Sequence, residues 1–160
     1  MSQRGFTLIE ILVVLVIIGI MLGLVSVRMM PDDSQVLRNE AGRLALLLEQ
    51  TRDQAVVSGT PIGFSVEQGR YRFWMQNADN QWVPYGGDEM LRERPLADGV
   101  QLAALQVNQT NLAEGERLLF LPTGSNEPFT ADLVLNAAHA RIRGDRLGRV
   151  SLELPQGMIE

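Results

Sequence analysis

The chain has 160 residues, contains no cysteine and carries a formal net charge of -5 at pH 7. This length suits one globular core beyond an apolar N-terminal segment and is short for two domains. Without cysteine, a disulfide framework, a thiolate metal site and a cysteine nucleophile are all excluded. The acidic balance opposes nonspecific attraction to nucleic acid or to anionic lipid.

A single acid stands at the start of a long apolar segment. Residues 11–27 carry no charged side chain, Glu10 directly precedes them, and the nearest base is Arg4. A carboxylate at bilayer depth costs about 2.5–3.5 kcal/mol on insertion scales, so we expect a partner group to compensate Glu10. A cut between Gly5 and Phe6 would free an amine able to pair with Glu10 of the same or a neighbouring subunit.

The run from Arg4 through Gly5, Phe6, Thr, Leu and Ile to Glu10, followed by an apolar helix, resembles the class III leader of type IV pilins and type II secretion pseudopilins. The resemblance implies that a membrane prepilin peptidase cleaves after Gly5, methylates the new N-terminal Phe6 and needs Arg4. It also implies that Glu10 guides subunits into a growing filament. The N-terminus would then be cytoplasmic, with a single pass through the bacterial inner membrane and a periplasmic head.

Two simpler interpretations of the N-terminus compete with this resemblance. An ordinary secretory signal peptide needs a small-residue cleavage site, and only Val25-Ser26-Val27 comes near that pattern. A plain single-pass anchor explains the apolar stretch over residues 6–27, which is near the roughly 20 residues that a spanning helix needs. Neither interpretation explains Glu10.

A second helix is predicted after the apolar one. Pro31 should end or kink the first helix, and the polar residues 32–34 are good caps for a restart. Apolar residues then recur at helical spacing to about Ser58, which predicts an amphipathic helix whose stripe packs on the head. The stripe consists of Leu37, Ala41, Leu44, Leu48 and Ala55. Gly59 and Pro61 end this helix.

From Ile62 onward, short β-branched and aromatic runs alternate with turn residues, which predicts antiparallel sheet. Strands are expected over residues 62–66, 71–76, 81–85, 100–107, 117–121, 129–135, 139–143 and 149–154. Residues 67–70 form a predicted hairpin turn, and Pro84 confines its strand to an edge or a strand end. Residues 86–99 are predicted to be an irregular loop whose mixed charges form a solvated surface.

These elements predict an α+β, pilin-like fold in which a long N-terminal helix packs on a mostly antiparallel β head. The expected regions are a cleaved leader at 1–5, a transmembrane and assembly helix at 6–30, an amphipathic helix at 31–59 and a head at 60–160. The two helices would join as one long, bent spine.

A second resemblance lies in the distal half of the chain. The residues Phe120-Leu-Pro122-Thr-Gly124, the strand at 129–135 and the run 146–150 resemble the turn, strand and closing hairpin of the H-type minor pseudopilins (GspH). Pro122 presets a turn and Gly124 can adopt positive φ, so the strand before them can reverse direction into residues 129–135.

The sequence offers no catalytic residues, no metal site and no cofactor site. The only histidine, His139, lies between two alanines, and no nucleophile elbow is present. Turn formation is favoured over calcium binding for Asn77, Asp79 and Asn80, because the calcium-loop pattern is missing.

One basic cluster deserves comparison with a nucleic-acid site. It consists of Arg141, Arg143, Arg146 and Arg149, and Asp145 and Glu153 lie beside it. Without interleaved aromatic residues, a subunit contact or a solvated hairpin is favoured over nucleic-acid binding.

The leading hypothesis is a minor pseudopilin at or near the tip of the type II secretion pseudopilus, which supports export of folded exoproteins across the outer membrane. Expected partners are other pseudopilins, the prepilin peptidase and the inner membrane, with secreted exoproteins or the secretin as further candidates. The alternative is a minor pilin of a type IV pilus, of the FimT/FimU type, acting in pilus priming or DNA uptake. A membrane-anchored periplasmic enzyme is a third hypothesis, which would require a pocket with convergent polar groups.

Overall fold

The structure is a computed structural model that describes residues 8–27, 32–87, 89–113 and 115–154, with side chains in the first helix described as far as Met21. The chain forms two compact units, Met1–Asp32 and Asp33–Glu160. The processing residues Gly5 and Phe6 lie outside the described residues.

The first unit contains helix α1, Leu8–Val27, with Glu10 in its first turn. Its sequence has no proline, and leucine, isoleucine and valine dominate every face, so the helix has no polar side to turn toward water. Within the described part of the chain, no helix combines the length and apolarity needed to cross a membrane. The predicted span at 6–30 stays a prediction, because residues 6, 7 and 28–30 lie outside the description.

The second unit begins with helix α2, Asp33–Ser58. All five residues of the predicted apolar stripe are buried in it, and Leu47 is buried with them. The helix ends before Gly59, whose φ of 67° is the left-handed conformation common after a helix C-terminus. The stripe packs chiefly against the sheet that contains the C-terminal strands.

Within the described residues the head has ten strands, all paired antiparallel and arranged in two sheets. In chain order they are β1 Ile62–Glu67, β2 Arg70–Gln76, β3 Trp82–Pro84, β4 Arg94–Pro95, β5 Gln101–Val107, β6 Thr110–Asn111, β7 Leu118–Phe120, β8 Phe129–Leu135, β9 Ala138–Gly144 and β10 Val150–Glu153. The first sheet has the order β3-β2-β1-β7, with β4 also paired to β2. The second has the order β10-β9-β8-β5-β6. This architecture confirms the predicted α+β fold.

Strict alternation gives the second sheet one buried face. Along β8 the buried residues are Phe129, Ala131, Leu133 and Leu135, and along β9 they are Ala138, Ala140, Ile142 and Gly144. The Phe129 ring occupies the space that a Cβ at Gly144 would need, so glycine is required opposite this phenylalanine. The small residues of β9 let α2 approach the sheet closely.

The predicted hairpin turn at residues 67–70 is confirmed. Gln68 and Gly69 connect β1 to β2 with φ values of 50° and 71°, as a two-residue type I′ turn requires. Pro84 ends β3, which is an outer strand of its sheet. An edge strand tolerates proline because no neighbour needs its missing N–H.

The prediction that residues 86–99 form an irregular loop was wrong for part of that segment. The predicted solvated surface is confirmed for most of its described charged residues, because Glu89, Arg92, Glu93 and Asp98 are exposed. The segment contains a short 3-10 helix, Glu89–Leu91, and strand β4, which pairs with the start of β2. Leu91 and Leu96 are 1% and 6% exposed, so the segment contributes to the core. The apolar residues of this segment are too widely spaced to show strand or helix periodicity. Its regular structure therefore depends on pairing with a distant strand and is not evident from local sequence.

The strands on either side of residues 120–124, which we call the proline turn, also pair differently from the prediction. The strand before the turn, β7, pairs with β1 in the first sheet, whereas β8 pairs with β5 and β9 in the second. The turn therefore carries the chain from one sheet to the other and does not close a hairpin within a sheet. Local turn chemistry predicts the reversal, but it cannot predict which sheet receives the next strand.

Candidate assembly site

Glu10 is the one charged residue in the sequence of α1, and its side chain is exposed. Its neighbours Ile9 and Ile11 are exposed as well. A carboxylate at a helix N-terminus is stabilised by the unpaired N–H groups of the first turn. In an apolar environment it would still need a cationic partner from outside this helix.

The proline turn has the geometry that its residue types favour. The N–H of Gly124 donates to the carbonyl oxygen of Leu121 at 3.0 Å, and Gly124 has a φ of 76°. Phe120 is fully buried and packs edge to face on Phe129, with ring centroids 6.1 Å apart. This aromatic contact ties the turn to both sheets, because Phe120 belongs to β7 and Phe129 to β8.

The loop between β9 and β10 is organised by Asp145. Its Oδ1 accepts hydrogen bonds from the backbone N–H groups of Leu147 and Arg149, at 2.9 and 3.0 Å. Its Oδ2 accepts one from Arg149 Nε at 3.0 Å. These donors, the backbone N–H of Arg149 foremost, lower the pKa of the Asp145 carboxyl. The carboxylate thus fixes a tight loop in which Gly148 takes a φ of 77°.

The proline turn and this loop meet on helix α2. Arg52 Nη1 donates to the carbonyl oxygen of Gly148 at 2.7 Å. A Cβ placed on Gly148 would overlap Arg52 Cδ and lie 2.7 Å from the carbonyl oxygen of Gly124, and one on Gly124 would lie 3.5 Å from Val56 Cγ2. We call Arg52, Val56, Gly124 and Gly148 the hairpin junction. The two segments that resemble one family in sequence are therefore one structural unit.

Arg52 is not among the residues whose role the sequence predicted. Its position off the apolar stripe of α2 indicated only a surface location. Its carbonyl acceptor lies 96 residues away in the chain, so local sequence carries no signal for the contact.

The predicted basic cluster is divided by ion pairs. Arg141 pairs with Asp132, Arg143 lies 3.4 Å from Glu153, and Arg149 pairs with Asp145. Among the residues that the structure describes, Arg146 has no such partner. His139 is exposed on β9 between its two buried alanine neighbours.

The polar residues near Asn77 form a turn. Asn77 Oδ1 accepts hydrogen bonds from the backbone N–H groups of Asp79 and Gln81, at 3.0 and 2.9 Å. Asn80 takes a φ of 58°, which asparagine tolerates. In the described ranges no cluster of three or more histidine, aspartate or glutamate side chains is placed to hold a metal ion.

The first sheet carries a cation–aromatic cluster that was not predicted from the sequence. The Arg117 guanidinium carbon lies 4.4 Å from the ring centroid of Trp74 and 5.6 Å from that of Trp82. Trp74 Nε1 donates to Ser65 Oγ at 2.8 Å. A side chain at Gly63 would come within 3.0 Å of Arg117, so the glycine makes room for this stack.

Comparison with known proteins gives two family matches. Residues 40–148 match the family described as type II transport protein GspH, and residues 1–26 match the prokaryotic N-terminal methylation motif. The first match covers the hairpin junction and most of the head, and the second covers the leader and most of α1.

Individual proteins agree with these matches. The chain is 30% identical to type II secretion system protein H of Pseudomonas aeruginosa, over 94% of this chain and 97% of that protein. It is 32% identical to the pilin-like protein PilA1 of Thermus thermophilus, over 96% of this chain and 100% of that one. The solved structure of the minor pseudopilin EpsH from the type II secretion system of Vibrio cholerae has the same fold, with a TM-score of 0.66 at 18% identity over 78% of this chain and 99% of that chain.

The apolar N-terminal helix with its lone acid, the amphipathic helix and the two-sheet head define a pilin-like structural subunit. Within that class, the chain belongs to the GspH family, the H-type minor pseudopilins of type II secretion, and it carries a class III leader. This family assignment supports the pseudopilin hypothesis over the type IV pilus alternative. The leader and the family also indicate anchoring at the inner membrane and assembly with other pseudopilins.

Proposed function

We propose that this protein is cleaved between Gly5 and Phe6 by the prepilin peptidase and methylated on the Phe6 amine. It then enters the type II secretion pseudopilus, at or near the tip, through its N-terminal helix. It spans the inner membrane once and its head lies in the periplasm. It catalyses no reaction and acts as a structural subunit that supports export of folded exoproteins across the outer membrane.

The observation that carries the proposal is the isolated acid of α1. Glu10 lies in the first turn of a helix with no other charged residue and no polar face. The match of residues 1–26 to the methylation motif supports cleavage before Phe6, which would leave an amine four residues from Glu10 as the missing cation. An amine of a neighbouring subunit at the same depth would offset the cost of burying the carboxylate. Pairing of Glu10 with this amine therefore sets the axial alignment of each helix with its neighbour.

Assembly through the helix leaves the head free to contact other proteins. The hairpin junction holds the proline turn and the β9–β10 loop on α2, so this end of the head keeps one shape as subunits pack. Other pseudopilins are the expected partners, and secreted exoproteins or the secretin are further candidates for contact with the head.

The test compares Glu10→Gln and Glu10→Leu with the control Ile11→Leu in the native host. Glutamine keeps the size of the side chain and removes its charge, whereas the control changes a neighbouring residue without altering charge. We expect all three variants to remain in the membrane fraction after alkaline extraction. The two Glu10 variants should lower secretion of the host's exoprotein and co-purification with other pseudopilins, and the control should not.

Mass spectrometry of the protein from its native membrane tests the processing step. The expected mass is that of residues 6–160 with one added methyl group. An intact Met1 in a host with an active peptidase, or normal secretion by Glu10→Leu, would contradict the proposal.

A further inference from the structure

An open cleft of about 940 Å³ lies on the second sheet, next to the hairpin junction. Three segments line it: the turn between β5 and β6, the start of β8, and the end of β9 with its following loop. The lining side chains that matter here are Arg143, Arg146, Gln109 and Pro128. The cleft is large enough to receive several side chains of another molecule.

The cleft is lined by the exposed guanidinium group of Arg146. Among the described residues, Arg146 has no ion pair, and Arg143 has only a long one, 3.4 Å to Glu153. Asp145 is the one carboxylate among the described residues that line the cleft, and it already accepts hydrogen bonds from Leu147 and Arg149. The cleft therefore presents net positive charge.

Elsewhere in the head, arginines are matched. Among the described arginines outside the cleft and its loop, several form ion pairs, including Arg43, Arg52, Arg70, Arg72, Arg92 and Arg141. Arg94 donates to the carbonyl oxygen of Glu89, and Arg117 stacks on two tryptophans. Within the described part of the chain, Arg146 thus differs from these arginines in having neither a carboxylate partner nor an aromatic ring against its guanidinium.

The cleft lies far along the head from where the head begins. Asn136, in the β8–β9 turn, donates to Asp33 at the N-terminus of α2, whereas the loop beyond β9 is bonded to Arg52. The rise of an α-helix places Arg52 about 28 Å along α2 from Asp33. Within the head, the cleft therefore lies at the end opposite the N-terminus of α2.

We propose that this cleft receives the carboxylate side chains of an acidic segment on a neighbouring protein subunit, with Arg146 and Arg143 as the cationic contacts. Charge complementarity argues for this partner, because guanidinium groups pair with carboxylates in a planar, two-bond geometry. Nucleic acid is disfavoured, since the one aromatic ring lining the cleft, Phe129, is buried and cannot stack on a base. The inference rests on the proposed function only in assuming a neighbouring subunit.

The experiment measures binding of a fluorescently labelled oligoglutamate peptide to the full chain in mild detergent, by fluorescence anisotropy at low and moderate salt. Oligoglutamine of the same length is the uncharged control, and single-stranded oligothymidylate tests nucleic acid. The variants are Arg146→Gln and Arg146→Lys. Arg92→Gln is the matched control, because it removes the same charge from an exposed site in the segment between β3 and β5.

We expect wild type and Arg92→Gln to bind oligoglutamate equally, and Arg146→Gln to bind it about three- to tenfold more weakly. Arg146→Lys should bind better than Arg146→Gln, and added salt should weaken all binding. Equal weakening by Arg146→Gln and Arg92→Gln would overturn the proposal, as would no binding by wild type. Tighter, Arg146-dependent binding of oligothymidylate would overturn it in favour of nucleic acid. None of these outcomes depends on processing or on Glu10, so the proposed function stands or fails separately.

Discussion

Arg52 and Gly148 are joined by a hydrogen bond from the guanidinium of a helix to the carbonyl oxygen of a loop, at 2.7 Å. The bond connects the C-terminal half of α2 to the last hairpin of the head. Asp53 accepts a second hydrogen bond from Arg52 Nε at 3.0 Å, which orients the guanidinium. Through the Arg52–Gly148 hydrogen bond, α2 fixes the position of a loop that follows every strand of the first sheet in the chain.

Gly148→Ala should destabilise the head. Alanine at a φ of 77° is strained by about 1–2 kcal/mol, and its Cβ would also meet Arg52 and the carbonyl oxygen of Gly124. Gly69→Ala is the matched control, because Gly69 has a similar φ of 71° but open space around its Cβ position. Urea unfolding followed by circular dichroism should show Gly148→Ala at least about 1 kcal/mol less stable than Gly69→Ala. Equal losses would mean that the junction does not pack as described.

Leu44→Ala should cost about 2–5 kcal/mol, because the side chain is fully buried between α2 and the sheets and its removal leaves a cavity. Leu46, two residues further along the same helix, is 67% exposed, and Leu46→Ala should change stability by less than about 0.5 kcal/mol. The same unfolding measurement distinguishes them. A large loss for Leu46→Ala would instead indicate that this side of α2 is buried against another molecule.

Glu93 should make the head sensitive to acid. A hydrogen bond from Arg70, and to a lesser extent one from Arg72, lowers the pKa of the Glu93 carboxyl. Because the folded-state pKa lies below the unfolded value of about 4.3, its contribution is complete above about pH 5 and is lost as the pH falls through the folded-state pKa. Wild type should therefore melt at a higher temperature than Glu93→Gln at neutral pH, and the gap should close on acidification.

The control for Glu93 is Glu89→Gln. Glu89 lies in the same segment but is 85% exposed, and among the described residues its side chain pairs with Arg92 alone. Its variant should melt close to wild type at neutral pH. A gap between wild type and Glu93→Gln that stays constant from neutral to acidic pH would rule out the two-arginine clamp as the source of acid sensitivity.

Arg117→Ala should change the tryptophan fluorescence of the whole protein. The chain has two tryptophans, and both contact Arg117. Removal of the arginine exposes their ring faces to water, so we expect a red-shifted emission and more efficient quenching by acrylamide. Arg92→Ala removes an equal charge from an exposed residue that pairs with Glu89, and it should leave the spectrum unchanged. An unaltered spectrum in Arg117→Ala would contradict the stack.

The sequence predicted the elements whose cause is local. The stripe of α2 follows from helical spacing, and the β1–β2 turn follows from a glycine at a position that requires positive φ. Short β-favouring runs between turn residues predicted β8 over its full length and β9 except for its two end residues. In each case the signal lies within a few residues of the structure that it specifies.

The features that the sequence did not predict depend on contacts between segments that are far apart in the chain. Leu91 and Leu96 gave no periodic signal, yet they are buried once β4 pairs with β2. The assignment of β7 and β8 to different sheets, and the contact of Arg52 with Gly148, likewise join residues far apart in the chain. For the assembly helix the sequence was more informative than the structure, because the leader residues carry a family signature and lie outside the described residues.

The outer strands of both sheets are short. β3 has three residues and ends in proline, and β6 has two. Filament subunits hold their heads at high local concentration, where a long open strand would recruit the same strand of its neighbour. Edge strands this short expose few unpaired backbone N–H and C=O groups, so they offer little for amyloid-like strand pairing between heads. Crowding along a pseudopilus can therefore be tolerated without the heads fusing into a continuous sheet.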